Sequence, residues 1–138
     1  MTPGGLVTCI SSFGPKETMD RLAAPITTRG ISIVARIDHA AAGAGVGMEL
    51  RPTEVLIFGN PQAGTPLMQA VQTIGIDLPL RALVWQDKDG LTRLAYNDPQ
   101  WLAQRHGVDA GLDRTLHAMA DALAAVAREV TAASHKEE

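Results

Sequence analysis

The chain contains four histidines, and His39 is the one whose position suggests chemistry. Residues 31–38 alternate in the pattern of a strand, and the same alternation places His39 on the apolar side at the end of that strand. A polar ring among apolar neighbours has to be hydrogen-bonded or coordinated. His39 is therefore a candidate ligand or general base, with a histidine satisfied inside the core as the simpler interpretation.

Three other residues join His39 as candidates for ligand binding. His106 ends a predicted short helix, where the helix dipole favours a protonated imidazole, so it also has a structural explanation. Asn60 precedes Pro61 and fits a turn. Tyr96 is the single tyrosine, and it forms either the wall of a pocket or a core position with its hydroxyl at the edge.

No familiar catalytic or metal-binding motif accompanies these residues. No His-x-x-x-His or Glu-x-x-His pair is present, so residue spacing gives no support for a metal site. A haem would need an axial ligand such as His39 or Met68, but methionines in an apolar chain are more often core residues. Gly43 to Gly47 lacks the spacing of a dinucleotide loop, and a Gly-x-Ser-x-Gly nucleophile elbow is absent. The sequence therefore assigns no metal and no cofactor, and it leaves open whether the protein is an enzyme.

The candidate residues must be positioned by a sheet and several helices, which the apolar spacing predicts. Strands are expected at residues 6–10, 31–38 and 53–58, followed by a hairpin of residues 78–87 and 91–97. Helices are expected from Pro15 to Gly30, from Thr65 with Pro66 at its first position to Gly75, from 98 to 107, and from 109 to 133. Residues 40–50 fit either a loop or a weak helix. Pro25 is expected to kink or end the first helix.

This order of elements predicts an α+β fold of two layers. We expect a mixed or mainly antiparallel sheet of about five strands with helices packed on one face. The 138 residues suit a single domain, with residues 134–138 as a frayed tail. Because the other sheet face would be uncovered, we also expect a homodimer.

Composition excludes several classes of protein. The chain is 46% hydrophobic and its net charge is -3, whereas a nucleic-acid module normally has a basic surplus. No apolar run approaches the roughly 18 residues that cross a bilayer, and no secretory signal is recognisable. The expected protein is soluble and cytoplasmic, and it binds neither nucleic acid nor membrane.

Several ordered motifs resemble one protein family. They are Arg51-Pro52-Thr53-Glu54-Val55-Leu56-Ile57-Phe58-Gly59-Asn60-Pro61, Gly64-Thr65-Pro66-Leu67-Met68, Asp77-Leu78-Pro79-Leu80, Tyr96-Asn97-Asp98-Pro99, His39-Ala40-Ala41 and Arg105-His106-Gly107. Together they resemble the domain-of-unknown-function 302 (DUF302) family over most of the chain, from Leu6 to Val130. The resemblance implies a compact two-layer α/β domain that tends to dimerise, and it implies no particular reaction.

The function predicted from the sequence is binding of a small molecule or a protein partner by a homodimeric domain. The alternative is a small enzyme that uses His39 as general base or as a metal or haem ligand. That alternative requires His39 to converge with Asn60, Tyr96 or His106 within about 10 Å, because catalysis needs hydrogen-bond reach, directly or through the substrate.

Overall fold

The computed structural model describes residues 3–132 as a five-stranded sheet with helices against it. The strands are β1 (Leu6–Ser11), β2 (Ser32–Asp38), β3 (Thr53–Gly59), β4 (Leu80–Gln86) and β5 (Thr92–Asn97). The helices are α1 (Pro15–Thr28), α2 (His39–Gly45), α3 (Pro61–Ala70), α4 (Pro99–His106) and α5 (Asp113–Thr131). Short 3₁₀ turns at Gln72–Ile76 and Ala110–Leu112 precede β4 and α5. The frayed tail predicted for residues 134–138 lies outside the described residues.

The sheet order is β1-β5-β4-β3-β2, and every neighbouring pair of these strands is antiparallel. The first two strands therefore occupy opposite edges, and α1 must cross the sheet between them. The predicted α+β class is confirmed, and the sheet is antiparallel rather than mixed.

One face of the sheet carries the main core. Leu56 and Phe58 of β3, Val84 of β4 and Leu94 of β5 are each at most 3% exposed on this face. Helices α1 and α5 cover them with the apolar side chains Met19, Leu22, Ile26, Leu123, Val126 and Val130. Leu123, Val126 and Val130 recur at steps of three and four, so one side of α5 packs on the sheet.

A second, smaller core joins the remaining helices. Leu67 of α3, Ile74 of the first 3₁₀ turn, Leu102 of α4 and Leu116 of α5 are at most 3% exposed and pack together. Since α5 contributes to both cores, it is the element that fixes α3 and α4 relative to the sheet.

The opposite face of the sheet is also apolar. The register aligns Ile37 of β2, Val55 of β3, Leu83 of β4 and Ala95 of β5 in one row across four strands. Ile37 remains 41% exposed, and Ile10 on the edge strand β1 is 54% exposed. This surface is called the open sheet face below.

Several helix boundaries differ from those predicted. Helix α3 begins at Pro61, because the side chain of Asn60 caps it by accepting a hydrogen bond from the Gln62 amide at 3.0 Å. The expected start at Thr65 is therefore wrong, and Pro66 lies inside the helix. Pro25 does not end α1, which continues to Thr28 with Pro25 inside it.

Candidate functional site

Helices α1, α3 and α5 border a cavity of about 910 Å³ on the core side of the sheet, and this cavity is partly open to solvent. Its walls come from α1, the start of β2, the end of β3, α3, the segment before β4, and α5. Most of its surface is apolar, and the large apolar side chains that line it include Leu22, Ile26, Phe58, Met68, Leu78, Leu80, Met119, Leu123 and Val126. We call it the α1–α3–α5 cavity.

Small residues explain why space remains between these helices. On α5, the small Ala118 and Ala122 line the cavity next to the larger Met119 and Leu123, and on α3 it is lined by Ala63 and Gly64. A methyl group or a hydrogen leaves volume that a leucine side chain would fill. The cavity is therefore a partly open pocket between the helices.

Tyr96 is a polar residue of the cavity lining. The residue is 8% exposed and lines the cavity from β5, and its hydroxyl makes no hydrogen bond to the rest of residues 3–132. In the same part of the chain, no buried side-chain oxygen or nitrogen shielded from solvent lacks a partner. The hydroxyl therefore reaches accessible space. Burial raises the pKa of the phenol, with Cys9 and Asp98 contributing in the same direction, so the hydroxyl is a neutral donor at physiological pH.

Asn60 also lines the cavity, at the end of β3. Its side-chain oxygen is used as the cap of α3, which leaves the amide NH₂ as a donor for a ligand. Asn60 and Tyr96, two of the four predicted residues, therefore share one cavity.

His39 lies elsewhere. Strand β2 ends at Asp38, whose carboxylate caps α2 by accepting a hydrogen bond from the Ala41 amide at 2.9 Å. His39 is consequently the first residue of a helix and is exposed. The expected inward orientation is wrong, because strand alternation cannot be extended past the residue where the strand stops.

His106 belongs to a separate polar cluster between the first 3₁₀ turn and α4. Its Nε2 lies 2.6 Å from Asp77 Oδ2, and its Nδ1 lies 3.0 Å from Thr73 Oγ1. Arg105 donates to both oxygens of Asp77 at 3.0 and 2.8 Å. Because the carboxylate accepts from Nε2–H, the Nδ1 of a neutral imidazole accepts from the threonine hydroxyl.

Thr73, His106 and Asp77 thus place a hydroxyl, an imidazole and a carboxylate in sequence. In such an arrangement the imidazole can act as a base that takes the proton of the hydroxyl. The ring of His106 is only 8% exposed, and His106 is not among the residues lining the α1–α3–α5 cavity. Sequence reasoning missed Asp77 and Thr73 as partners of His106, since 29 and 33 residues separate them along the chain.

Metal binding and thiol chemistry find no support in this geometry. No group of three His, Cys, Asp or Glu side chains between residues 3 and 132 is placed to hold a metal ion. Burial raises the pKa of the Cys9 thiol, which keeps it in its unreactive protonated form.

The fold and the cavity together define a small α+β domain with a preformed apolar pocket. The family model described as domain of unknown function DUF302 matches residues 7–126, and the chain belongs to that family. This confirms the resemblance found in the sequence motifs.

A solved structure of the same family has the same fold. The crystal structure of an uncharacterized conserved DUF302 protein from Bacillus stearothermophilus aligns with a TM-score of 0.82 at 21% identity. The alignment covers 94% of this chain and 100% of the other.

Curated relatives have more specific names. A protein of Brucella suis named fluoride-specific ion channel FluC 1 is 49% identical over 115 residues, which cover 83% of this chain and 45% of that protein. A protein of Brucella abortus with the same name matches equally well over 43% of its length. The chain thus spans less than half the length of the curated relatives it matches. Within residues 3–132, no helix is long and apolar enough to cross a membrane.

Proposed function

We propose that this domain binds an apolar small molecule in the α1–α3–α5 cavity. The observation that supports the proposal is the cavity itself, because about 910 Å³ lies within the roughly 300–1,000 Å³ typical of small-molecule sites. Its lining is mainly apolar with a few polar groups, which is also typical of such sites.

The polar groups give the ligand its orientation. The Tyr96 hydroxyl lacks a partner in the described chain, and the Asn60 amide has an unused NH₂ group. A ligand with one acceptor oxygen would satisfy either donor, and the rest of its surface would replace water against Leu123, Met119 and Met68. Asn60 and Tyr96 are therefore our proposed ligand contacts, whereas His39 and His106 have no place in this cavity.

A neutral, environment-sensitive dye tests the proposal directly. Nile red should bind in a saturable manner, with an increase and a blue shift of its fluorescence, because the cavity removes it from water. Its displacement by a non-fluorescent alkane derivative would show that one site is responsible. A dye signal that does not saturate, or that no apolar compound displaces, would contradict the proposal.

We further propose that two copies associate through the open sheet face. The row of Ile37, Val55, Leu83 and Ala95 makes this face apolar, and two residues on it, Ile10 and Ile37, are 54% and 41% exposed. These exposed side chains support the proposal, because exposed apolar surface often marks an interaction surface. A second copy offers the same row, and a two-fold interface brings identical patches together. The cavity lies on the other side of the sheet, so dimerisation would leave it accessible.

A second candidate function is that of a module that acts on a membrane transport protein. It is favoured by the 49% identity to part of the Brucella proteins named fluoride-specific ion channels. More than half of each relative lies outside the matched region, and the spanning segments would lie there. The matching half would then sense a ligand in the cytoplasm, and the cytoplasmic placement of our chain is part of this proposal.

The module hypothesis is tested on the Brucella suis protein itself. Fluoride efflux from liposomes is compared between the full protein and a version lacking the region similar to this chain. The hypothesis predicts that efflux persists but no longer responds to an apolar ligand. Efflux that responds equally in both versions would contradict it.

A further inference from the structure

Among residues 3–132, the charged side chains that line the α1–α3–α5 cavity are two arginines, Arg29 and Arg114. The carboxylate of Glu129 pairs with Arg29 at 3.7 Å and does not line the cavity. The chain as a whole has 15 acidic and 12 basic residues. Two arginines as the charged lining residues of the described chain, in a protein with more acidic than basic residues, point to an anionic group on the ligand.

The two arginines differ in how many of their donors are free to bind a ligand. The guanidinium of Arg29 donates to the Pro25 carbonyl at 3.1 Å and lies 3.7 Å from the carboxylate of Glu129. Arg114 is exposed and has no ion pair among residues 3–132. The unused donors of Arg114 form a planar fork that matches the two oxygens of a carboxylate.

The position of Arg114 strengthens its attraction for an anion. It lies in the first turn of α5, where the helix dipole is positive. Leu112, at the N-cap of this helix, makes no side-chain hydrogen bond to the helix amides, and the acidic Asp113 precedes Arg114 in the same turn. The adjoining cavity wall is apolar, and charges interact more strongly beside such a wall than in open water.

The cavity is also long in one direction. Along α5 it is lined from Arg114 to Ala127, a distance of about 20 Å at 1.5 Å per residue. Ala118 and Ala122 keep this path open, and Met119 and Leu123 make it apolar. A linear alkyl chain fits such a path when its charged end lies at Arg114.

We propose that the cavity takes a single-chain alkyl carboxylate, with the carboxylate held at Arg114 and the alkyl chain extending along α5 toward Ala127. This inference rests on the proposed binding function and adds the chemical class of the ligand. It assigns Arg114 as the residue that determines specificity for the anionic head group.

The test compares three probes that differ only in the head group. Dodecanoate, dodecan-1-ol and dodecylammonium are titrated below their micellar concentrations, and binding is measured by calorimetry. We expect dodecanoate to bind roughly tenfold tighter than the alcohol, because a hydrogen-bonded charge pair contributes more than a neutral contact. Dodecylammonium should bind most weakly.

Arg114→Gln should remove this preference, so that dodecanoate loses roughly tenfold in affinity and dodecan-1-ol loses none. Arg128→Gln is the matched control, since Arg128 is an exposed arginine on the same helix that does not line the cavity. This control should leave the affinities for all three probes unchanged. Both side chains are exposed, so both variants should fold, and thermal melting checks this.

The outcomes separate this inference from the proposed function. If the alcohol binds as tightly as the carboxylate, or if Arg114→Gln weakens both probes equally, the head-group assignment is overturned while the cavity remains a binding site. If the ammonium probe binds best, the assignment is overturned as well. If none of the three probes binds, the proposed function fails, and this inference fails with it.

Discussion

Asp87 organises the turn between β4 and β5. Its Oδ1 accepts hydrogen bonds from the amides of Asp89 and Leu91 at 2.9 and 3.0 Å, and its Oδ2 lies 2.6 Å from Arg93 Nε. Arg93, followed by these amides, holds the pKa of the carboxyl below its usual range. Gly90, with φ of 83°, provides the left-handed conformation that closes the turn.

These contacts predict an acid-sensitive contribution of Asp87 to stability. Because the folded-state pKa is lowered, the contribution is present above the ordinary aspartate value of about 3.9 and is lost as pH falls through the folded value. Asp87→Asn should therefore lower the urea midpoint near neutral pH, and the difference from the parent should shrink in acid. A difference that stays constant down to about pH 2 would contradict this account.

Asn60 combines a structural and a proposed binding role, which substitutions can separate. Asn60→Ala removes the cap of α3 and should cost about 1 kcal/mol of unfolding free energy. Asn60→Asp keeps the acceptor oxygen, so its stability should match the parent, but it replaces the NH₂ donor with a carboxylate. Chemical denaturation measures the first effect and probe affinity the second. If both variants lost the same unfolding free energy, the loss could not be attributed to the helix cap.

His39 shows that the orientation of a side chain cannot be predicted from strand alternation at the end of a strand. The alternation of residues 31–37 correctly indicated a strand, yet the structure ends β2 at Asp38 and begins α2 at the next residue. A bulge between Ile33 and Ala35 also interrupts the alternation within the strand. The orientation of a side chain at an element boundary depends on the cap, which periodicity does not reveal.

At the scale of elements, α5 connects the sheet, the smaller core and the cavity. It packs on the sheet through Leu123 and Val130, contacts α3 and α4 through Leu116, and lines the cavity through its alanines. Its apolar stripe could be predicted because long helices show clear periodicity. The cavity could not be predicted, because it depends on how the small residues of α3 and α5 meet in space.

Filling the cavity from α5 should block binding without harming the fold. Ala122→Phe places an aromatic ring in empty space, so stability should be unchanged or raised by up to about 2 kcal/mol. Saturable Nile red fluorescence should disappear. Ala24→Phe, at an exposed position of α1 that does not line the cavity, is the matched control and should bind normally. Retained binding by Ala122→Phe would place the site elsewhere.

At the scale of the whole molecule, the two faces of the sheet have different roles. One face carries the core and the cavity, and the open sheet face is the proposed interface with a second copy. The sequence predicted helices on one side from the order of strands and helices. The sequence could not predict that β1 pairs with β5. In that pairing Leu6 lies opposite Asn97, which is some 90 positions further along the chain.

Charges on the open sheet face should separate the proposed dimer. Ile10→Lys with Ile37→Lys alters two exposed positions, so the fold should survive while two like-charged faces repel each other. Light scattering after size exclusion should give twice the chain mass for the parent and the chain mass for the double variant. Val46→Lys, at a 73% exposed position outside the strands, should remain dimeric.

A parent protein that is monomeric at high concentration would contradict the proposed dimer. So would a double variant that stays dimeric while folded, since its interface would then lie elsewhere.

The central claim, that the α1–α3–α5 cavity binds a ligand, is tested most directly by the methionine methyl groups. Met68 and Met119 line the cavity, whereas Met48 is 67% exposed outside it. In protein labelled with ¹³C-methyl methionine, titration with dodecanoate should shift the Met68 and Met119 resonances to saturation and leave Met48 in place. Cavity resonances that stay unmoved at saturating probe, or a shift confined to Met48, would contradict the account.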